Sequence, residues 1–175
     1  MSLAGGTFRY KLDAALTVLR HLVWRRILRR PMAYDQNNVF AKILRGEIPS
    51  ARVYEDDQVV AFMDVMPQGV GHTLVVPKHP SRNLLDADPA RLAPVIAVVQ
   101  KIARAAKAAF AADGVAVMQF NESASGQSVF HLHFHVIPRF EGTPLKPHTG
   151  KMEDRAVIEA NAAKLKRAVA SLPAR

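Results

Sequence analysis

The sequence of 175 residues contains no cysteine, so disulfides and thiolate metal sites are excluded. This absence is compatible with a reducing cytoplasm, where we expect the protein to reside. The sequence also lacks the clean run of roughly 18 apolar residues that a membrane-spanning helix needs. Neither internal repeats nor a second domain are apparent. With 49% hydrophobic and 22% charged residues, the composition is typical of one globular domain with appendages.

Acidic residues are fewer than basic ones, 15 against 24, and the formal net charge is +9. Most of this excess belongs to residues 1–31, which contain seven arginines and lysines and a single acid, Asp13. The rest of the chain, with 17 basic and 14 acidic residues, carries only +3. The basic character therefore belongs to the N-terminal segment, and nucleic-acid binding by the whole protein is not supported.

Residues 1–34 are interpreted as a basic amphipathic N-terminal extension. No small-residue cleavage site follows it, so a secretory signal is not indicated. The extension either forms a helix on a membrane surface, which would be the one expected membrane contact, or lies upstream of a true start at Met32 and has no function. The apolar residues of the expected helix recur at helical spacing and precede Pro31: Leu12, Leu16, Leu19, Val23 and Ile27.

The most informative stretch of the chain is residues 126–139, in which three histidines alternate with large apolar residues. In a strand, successive side chains point to opposite faces. The pattern therefore predicts a strand over residues 129–137, with the histidines on one face and the apolar side chains in the core. A helix would distribute the imidazoles around its circumference. The histidines are His131, His133 and His135, and their apolar neighbours are Leu132, Phe134 and Val136.

Three imidazoles on one face suit either a metal site or a catalytic nucleophile with imidazole partners. The preceding Gly126-Gln127-Ser128 favours the nucleophile, because it offers flexible backbone, an amide and a hydroxyl that can bind an anion. A metal site would be expected to have a carboxylate or thiolate nearby. A neutral imidazole can attack an activated phosphorus, and donors placed at the phosphate stabilise the developing charge. Asn121 supplies a further amide donor.

These residues resemble the histidine-triad superfamily of nucleotide hydrolases and transferases, which is named for His-x-His-x-His followed by apolar residues. The Gly126-Gln127-Ser128-Val129 sequence before the triad is similar to the phosphoramidase and dinucleotide-hydrolase branches. Residues 35–175 are therefore interpreted as one domain of this superfamily with a C-terminal tail and helix. Further similar motifs occur in the right order before the triad: Asn38–Ile43, Gly46–Pro49, Ala61–Asp64 and Gly71–Lys78.

The predicted fold is α+β, with a histidine-triad-like antiparallel sheet of about five strands packed on a long helix, and with short N-terminal and C-terminal helices. Asn38 is expected to cap the first helix and Asp88 the long one, which Gly114 would stop. The resemblance implies that two subunits form a homodimer. The apolar face of the long helix is predicted to contain Leu92, Ile96, Val99, Ala103, Ala106 and Phe110.

The resemblance implies a role for each histidine of the site. His133, the middle imidazole, would attack the α-phosphorus and form a nucleotidyl-histidine intermediate, which water then cleaves. Ser128 would assist departure of the leaving group. His131, His135 and His72, which resembles the superfamily's fourth histidine, would set the tautomer of His133 and manage protons. Together these residues form the expected catalytic set.

Residues around the triad are implied to bind a purine nucleotide. Phe40 and Ile43, one helical turn apart, would line an apolar slot for the nucleobase, although both could simply belong to the core. Asp64 would accept hydrogen bonds from the two ribose hydroxyls, unless it only caps the following turn. The complete set of expected nucleotide contacts is Phe40, Ile43, Asp64, Val65, Asn121, Gly126, Gln127, Ser128, His133 and His135.

No metal and no cofactor are expected. In many superfamily members, the positions of Asn38 and Ala41 hold a Cys-x-x-Cys pair that belongs to a structural zinc site, and both thiols are missing here. The attack itself needs no metal, because the histidine is the nucleophile.

The expected activity is hydrolysis or transfer at the α-phosphorus of purine nucleoside 5′-phosphoramidates or related nucleotides, like that of an adenosine 5′-monophosphoramidase. The same site could prefer dinucleoside polyphosphates of the diadenosine tetraphosphate type. A nucleotide-binding scaffold or sensor dimer with incidental hydrolysis is a further alternative. A zinc protein is another, and the absent thiols argue against it.

Overall fold

The computed structural model describes residues 33–147 and 151–173. The predictions for the N-terminal extension therefore fall outside the described residues, and the division of the chain at residue 34 stays a prediction. No helix in the described part of the chain combines the length and the apolar character needed to cross a bilayer.

The predicted α+β fold is confirmed, with a five-stranded antiparallel sheet. The strand order is β1-β2-β3-β5-β4, so the triad strand lies between β3 and β4. Because β3 and β5 are neighbours, the residue before β3, His72, comes next to the triad. The strands are β1 (Arg52–Glu55), β2 (Val59–Met63), β3 (Thr73–Pro77), β4 (Gly114–Met118) and β5 (Phe134–Arg139).

Three α-helices lie in the described residues: α1 (Val39–Leu44), α2 (Leu92–Phe110) and α3 (Arg155–Ser171). The Asn38 side chain accepts the Ala41 N–H, as expected of an N-cap. Asp88 caps a short 3-10 turn, Pro89–Arg91, that continues into α2. The long helix does not run to Gly114, however, because Ala111 adopts a left-handed conformation at the C-cap and ends it at Phe110.

Apolar side chains cover both faces of the sheet. Val59, Ala61 and Met63 of β2 face the larger core cluster, which includes α2 and α3. Val60 and Phe62 face the smaller cluster with α1 on the other side. This alternation follows from the two-residue period of a strand. Burial of a valine, leucine or isoleucine contributes roughly 1.5–3 kcal/mol each, so both layers stabilise the sheet.

The predicted apolar face of α2 is only partly correct. Ile96 is 49% exposed, whereas Val95, Val98 and Ile102 are buried. The helix contains apolar residues around most of its circumference, so its sequence alone allows more than one stripe. Packing against the sheet and α3 selects the stripe that is buried.

The strand predicted over residues 129–137 is shorter than expected, because β5 begins only at Phe134. Continuing its register with β3 would place Leu132 opposite Pro77, which has no N–H to donate. Instead, the Leu132 N–H donates to the Ser81 carbonyl at 2.8 Å. The predicted separation of the two faces nevertheless persists, since Leu132, Phe134 and Val136 all lie in the larger core cluster.

We expect Gly71→Ala to destabilise the fold more than Gly46→Ala. Both glycines have a positive φ, +77° and +78°, but a Cβ on Gly71 would lie 2.5 Å from the Phe110 ring, whereas one on Gly46 has no neighbour within 4 Å. The left-handed backbone costs about 1–2 kcal/mol in either variant, and overpacking adds about 1–3 kcal/mol at Gly71 alone. Urea denaturation measures both losses. Gly114→Ala, in open space, is the control, and equal losses in the first two variants would contradict the packing argument.

Candidate active site

The nucleophile candidate, His133, has its tautomer set by the backbone. Its Nδ1 lies 2.6 Å from the carbonyl oxygen of His131, which can only accept a hydrogen bond. The proton therefore resides on Nδ1, and Nε2 carries the lone pair. The His133 side chain is 4% exposed and packs edge-on against the Phe40 ring, at 4.9 Å between centroids. The hydrogen bond to the backbone and the contact with Phe40 thus both orient the imidazole.

His131 supports that carbonyl and is itself fully buried. Its Nε2–H donates to the carbonyl oxygen of Pro77 at 2.8 Å, and its Nδ1 accepts the hydroxyl of Tyr34. Burial lowers the pKa of His131 to about 4, so the ring is neutral near pH 7. A neutral ring matches the acceptor role of Nδ1. Tyr34 was not identified from the sequence, because no motif or periodicity marks it.

A second set of contacts links Asp64, His72 and His135. The Gln68 N–H donates to His72 Nδ1 at 3.1 Å, which leaves His72 Nε2–H to donate to His135 Nδ1 at 2.9 Å. The Oδ2 atom of Asp64 lies 3.4 Å from His72 Nδ1. The His135 ring in turn lies 4.9 Å from that of His133, between centroids. Contacts thus run from the Asp64 carboxylate through His72 and His135 to His133.

Asp64, His72 and His135 are also close enough to be considered as a metal site, with ligand atoms within 4.8 Å of one another. His72, however, presents opposite ring nitrogens to its two neighbours. A shared ion would need one nitrogen from each ring pointing at a common centre. The arrangement therefore suits a hydrogen-bonded pair of imidazoles beside a carboxylate better than a bound ion.

The positions that resemble a Cys-x-x-Cys pair have structural roles in α1. The Asn38 Oδ1 atom accepts the Ala41 N–H at 3.0 Å, and the Ala41 side chain is buried and has no ligand atom. Neither residue offers the thiolate that a structural zinc site of this kind uses. The expectation that this zinc is missing stays a prediction.

A cavity of about 340 Å³ opens beside His133, within the size range of small-molecule sites. Most of its wall is apolar, and polar groups are concentrated near the histidines and Asp64. Met152, from the segment before α3, also lines it and was not identified from the sequence. The cavity brings together these predicted nucleotide contacts: Phe40, Ile43, Asp64, Val65, Ser128, His133 and His135.

Asp64 occupies the rim of this cavity with both carboxylate oxygens engaged. Its Oδ1 accepts the Met66 N–H at 2.8 Å, which is the turn-capping role considered from the sequence. Its Oδ2 faces His72. A carboxylate oxygen has two lone pairs, so these contacts leave acceptor capacity for ribose hydroxyls.

The Gln127 side chain is directed into the protein, and this corrects the prediction that its amide binds the phosphate. Its Nε2 donates to the carbonyls of Arg82 and Val129 at 2.8 and 3.0 Å. Its Oε1 accepts the Glu122 N–H at 2.8 Å and Asn83 Nδ2 at 3.2 Å. Both amide hydrogens are used, so the side chain has no donor left for a ligand.

Asn121 and Gly126 also lie outside the lining of the cavity. The Asn121 Oδ1 atom accepts the Leu84 N–H at 3.0 Å, and its Nδ2 donates to Gln119 Oε1 at 2.8 Å. Gly126 has φ +102°, which only glycine adopts readily, and it caps the 3-10 turn Ser123–Ser125. Ser128 is the member of this loop that reaches the cavity.

We expect the free energy of unfolding to fall as the pH drops from about 6.5 toward 4, because His131 takes up a proton in the unfolded chain but resists it in the fold. The contribution of neutral His131 to the free energy of unfolding is fully present above about pH 6.5. Because each pKa unit corresponds to about 1.36 kcal/mol, the loss reaches about 3 kcal/mol near pH 4. Urea denaturation over this range measures it.

Because other groups titrate in the same range, His131→Gln is the control for this experiment. The difference in unfolding free energy between the wild type and this variant should shrink as the pH falls. A difference that does not change with pH would contradict the assignment of the effect to His131.

Comparisons with known proteins identify the family of this chain. The family model described as HIT domain matches residues 45–142, which contain the whole sheet, α2 and the triad. A Hit-like protein involved in cell-cycle regulation from Bartonella henselae, solved with an unknown ligand, is 62% identical, with a TM-score of 0.75. The match covers 78% of this chain and 99% of that one.

Two further relatives carry more specific names. A Zn-bound histidine triad family protein from Mycobacterium smegmatis is 38% identical, with a TM-score of 0.69, and the match covers 77% of this chain and 94% of that one. Adenylylsulfatase HINT3 from Arabidopsis thaliana is 35% identical over 124 residues, which are 67% of this chain and 63% of that protein. With its histidine triad, its sheet and a family match over more than half of its length, the chain belongs to the HIT family and has its nucleotide-binding hydrolase and transferase fold.

Proposed function

We propose that this protein hydrolyses purine nucleoside 5′-phosphoramidates or closely related nucleotides through a nucleotidyl intermediate on His133. The observation that carries this proposal is the hydrogen bond from His133 Nδ1 to the His131 carbonyl at 2.6 Å. It places the proton on Nδ1 and makes Nε2 the nucleophilic nitrogen. His133 also lines the cavity, next to a hydroxyl and a second imidazole, those of Ser128 and His135.

In the first step, the Nε2 lone pair forms a bond to the α-phosphorus and the bond from phosphorus to the leaving amine breaks. The amine departs with a proton that solvent supplies through the Ser128 hydroxyl, which hydrogen bonds to the leaving nitrogen. The ring of His133 becomes cationic, and its Nδ1–H stays bonded to the His131 carbonyl, which stabilises the charge. The product of this step is a nucleotidyl-histidine and a free amine.

In the second step, water attacks the phosphorus and the bond to His133 Nε2 breaks. The proton released by water returns to solvent and replaces the one that the leaving amine took up in the first step, while His72 Nε2–H keeps its hydrogen bond to His135 Nδ1 beside His133. A nucleoside monophosphate leaves, and His133 returns to its neutral tautomer. This step requires no group beyond the residues of the site and water.

The apolar end of the cavity is assigned to the purine base. Phe40 and Ile43 of α1 line it together with Phe62 and Leu74 from the sheet. Asp64, at the rim, is positioned for the ribose hydroxyls. Phe40 also touches the His133 ring, so the base slot and the nucleophile share one wall and their separation is fixed.

The leaving group is the least constrained part of the proposal. Adenylylsulfatase HINT3 is named for an adenylyl substrate in which sulfate takes the place of the amine. The same attack at phosphorus would cleave such a substrate. Dinucleoside polyphosphates, whose leaving group is a nucleotide, are the alternative substrates. Turnover of an AMP–alkylamine conjugate, adenylyl sulfate and diadenosine tetraphosphate at equal concentration ranks the three.

We also propose that two copies form a homodimer, as the family resemblance implies. β4 is an edge strand of the sheet, and Val117 on it is 48% exposed. Ile96 of α2 is exposed to a similar degree. Covering such apolar groups with a second copy would remove them from water. The cytoplasmic location expected from the missing cysteines stays a prediction.

We expect His133→Ala to lower kcat on an AMP–alkylamine conjugate by about 10³-fold or more, because the covalent route is lost. His133→Asn should also be inactive but should bind AMP about as tightly as the wild type, since its amide fills much of the same space. Steady-state kinetics and calorimetric titration with AMP measure the two effects.

His79→Ala is the matched control for these variants, because His79 is exposed and lies outside the cavity lining. It should retain wild-type turnover. Near-normal rates in His133→Ala would rule out the covalent mechanism, and loss of AMP binding in His133→Asn would show that the substitution had disturbed the pocket.

A further inference from the structure

The segment after β3 contacts both ends of the loop that carries Ser128. This loop, residues 121–130, is here called the serine loop. Arg82 and Asn83 are the contacting residues, and both are buried, at 8% and 1% exposure. Neither belongs to the cavity lining or to the triad. Direct contact with a substrate therefore does not explain why these two residues are buried in this arrangement.

At the start of the serine loop, Arg82 and Asn83 bind Glu122. The Arg82 guanidinium donates from Nε and Nη2 to the two carboxylate oxygens at 3.0 and 2.7 Å, a bidentate pair. Asn83 Nδ2 adds a hydrogen bond to Glu122 Oε1 at 2.7 Å. Glu122 has φ +68° and ψ 162°, a positive-φ backbone conformation that a non-glycine residue adopts only when its surroundings impose it.

At the end of the loop, the same two residues bind Gln127 and Phe130. The Gln127 Nε2 donates to the Arg82 carbonyl at 2.8 Å, and Asn83 Nδ2 contacts Gln127 Oε1 at 3.2 Å. The Arg82 guanidinium carbon lies 3.9 Å from the Phe130 ring centroid, in cation–π geometry. Gln127 Oε1 also accepts the Glu122 N–H, which joins the two ends directly.

Ser128 is therefore enclosed between anchored neighbours, Gln127 on one side and Phe130 on the other. The same segment reaches the triad, because the Leu132 N–H donates to the Ser81 carbonyl at 2.8 Å. One short stretch of chain thus sets the position of the serine loop and that of the backbone beside His133. The distance between the Ser128 hydroxyl and the nucleophile depends on both.

We propose that Arg82 and Glu122 are positioning residues, which hold the Ser128 hydroxyl where it can assist departure of the leaving group from His133-bound phosphorus. The proposal rests on the proposed function, because it gives the pair a role in that reaction. Arg82, Asn83, Glu122 and Gln127 together are called the loop clamp. Neither Arg82 nor Glu122 touches the substrate, and each acts through Ser128.

A positioning role and a purely structural role predict that the loss of kcat in a clamp variant depends differently on the leaving group. An alkylamine is a poor leaving group and needs the hydrogen bond from Ser128, whereas p-nitrophenolate leaves without help. A displaced Ser128 should therefore slow the amine conjugate selectively. General weakening of the fold would slow both substrates in proportion.

The test compares Glu122→Gln with the wild type on an AMP–alkylamine conjugate and on the p-nitrophenyl ester of AMP. Glutamine keeps the shape of the side chain but removes the ion pair. We expect kcat on the amine conjugate to fall about 10- to 100-fold, as for a displaced catalytic group. KM, the affinity for AMP and kcat on the ester should each change by less than about twofold. Arg82→Lys keeps the charge without the bidentate geometry. Its kcat on the amine conjugate should therefore lie between those of the wild type and Glu122→Gln.

Glu47→Gln is the matched control, because Glu47 forms a two-point pair with Arg45 at 2.6 and 3.1 Å and neither residue lines the cavity or contacts the serine loop. It should leave both substrates unaffected. Equal losses on the two substrates in Glu122→Gln, or weakened AMP binding in step with reduced thermal stability, would overturn the positioning role.

Amide hydrogen exchange separates failure of the clamp from failure of the proposed function. If the wild type cleaves neither substrate, the proposed function fails, and exchange without ligand still decides whether the clamp exists. Faster exchange over residues 122–130 in Glu122→Gln, with the rest of the chain unchanged, supports the clamp. Unchanged exchange in that loop would overturn it.

Discussion

The arrangement of the site depends on one hydrogen bond, from His133 Nδ1 to the carbonyl oxygen of His131. A carbonyl cannot donate, so this contact places the proton on Nδ1 and leaves the lone pair of His133 on Nε2. The hydrogen bond holds His133 in one orientation only if the His131 carbonyl does not move. His131 is therefore anchored on both ring nitrogens, by the Pro77 carbonyl and the Tyr34 hydroxyl, and burial keeps it neutral. A buried and neutral histidine thus serves as a rigid backbone support rather than as a proton carrier.

Two separate parts of the fold position the residues around this hydrogen bond. Pairing of β3 with β5 brings His72 against His135 and supplies the line of imidazoles that ends at Asp64. The segment after β3 fixes the serine loop and the backbone at Leu132. The imidazole pair beside His133 and the anchoring of the serine loop therefore both depend on residues at the two ends of β3. The apolar cluster under α1 completes the site, because its Phe40 packs against His133 and lines the cavity proposed for the base.

The local patterns of the sequence predict most elements and the division of the triad segment into two faces. They fail where a partner distant in sequence decides the outcome. The strand shortens because Pro77, more than fifty residues away, cannot pair with Leu132. Gln127 turns inward because Arg82 and Asn83 bind it. Tyr34 and Met152 carry no motif, and only the fold brings them to the site. Contacts between residues distant in sequence, rather than local propensities, account for these differences.

The most direct test of the covalent mechanism is to trap the intermediate. Purified protein is mixed with an adenosine phosphoramidate, quenched at neutral to alkaline pH after milliseconds to seconds, digested and analysed by mass spectrometry. The mechanism predicts an AMP adduct on the peptide that contains His133, formed and lost at rates consistent with turnover and missing in His133→Ala. Hydrolysis at the normal rate by His133→Ala, with no adduct in the wild type at any time, would contradict it.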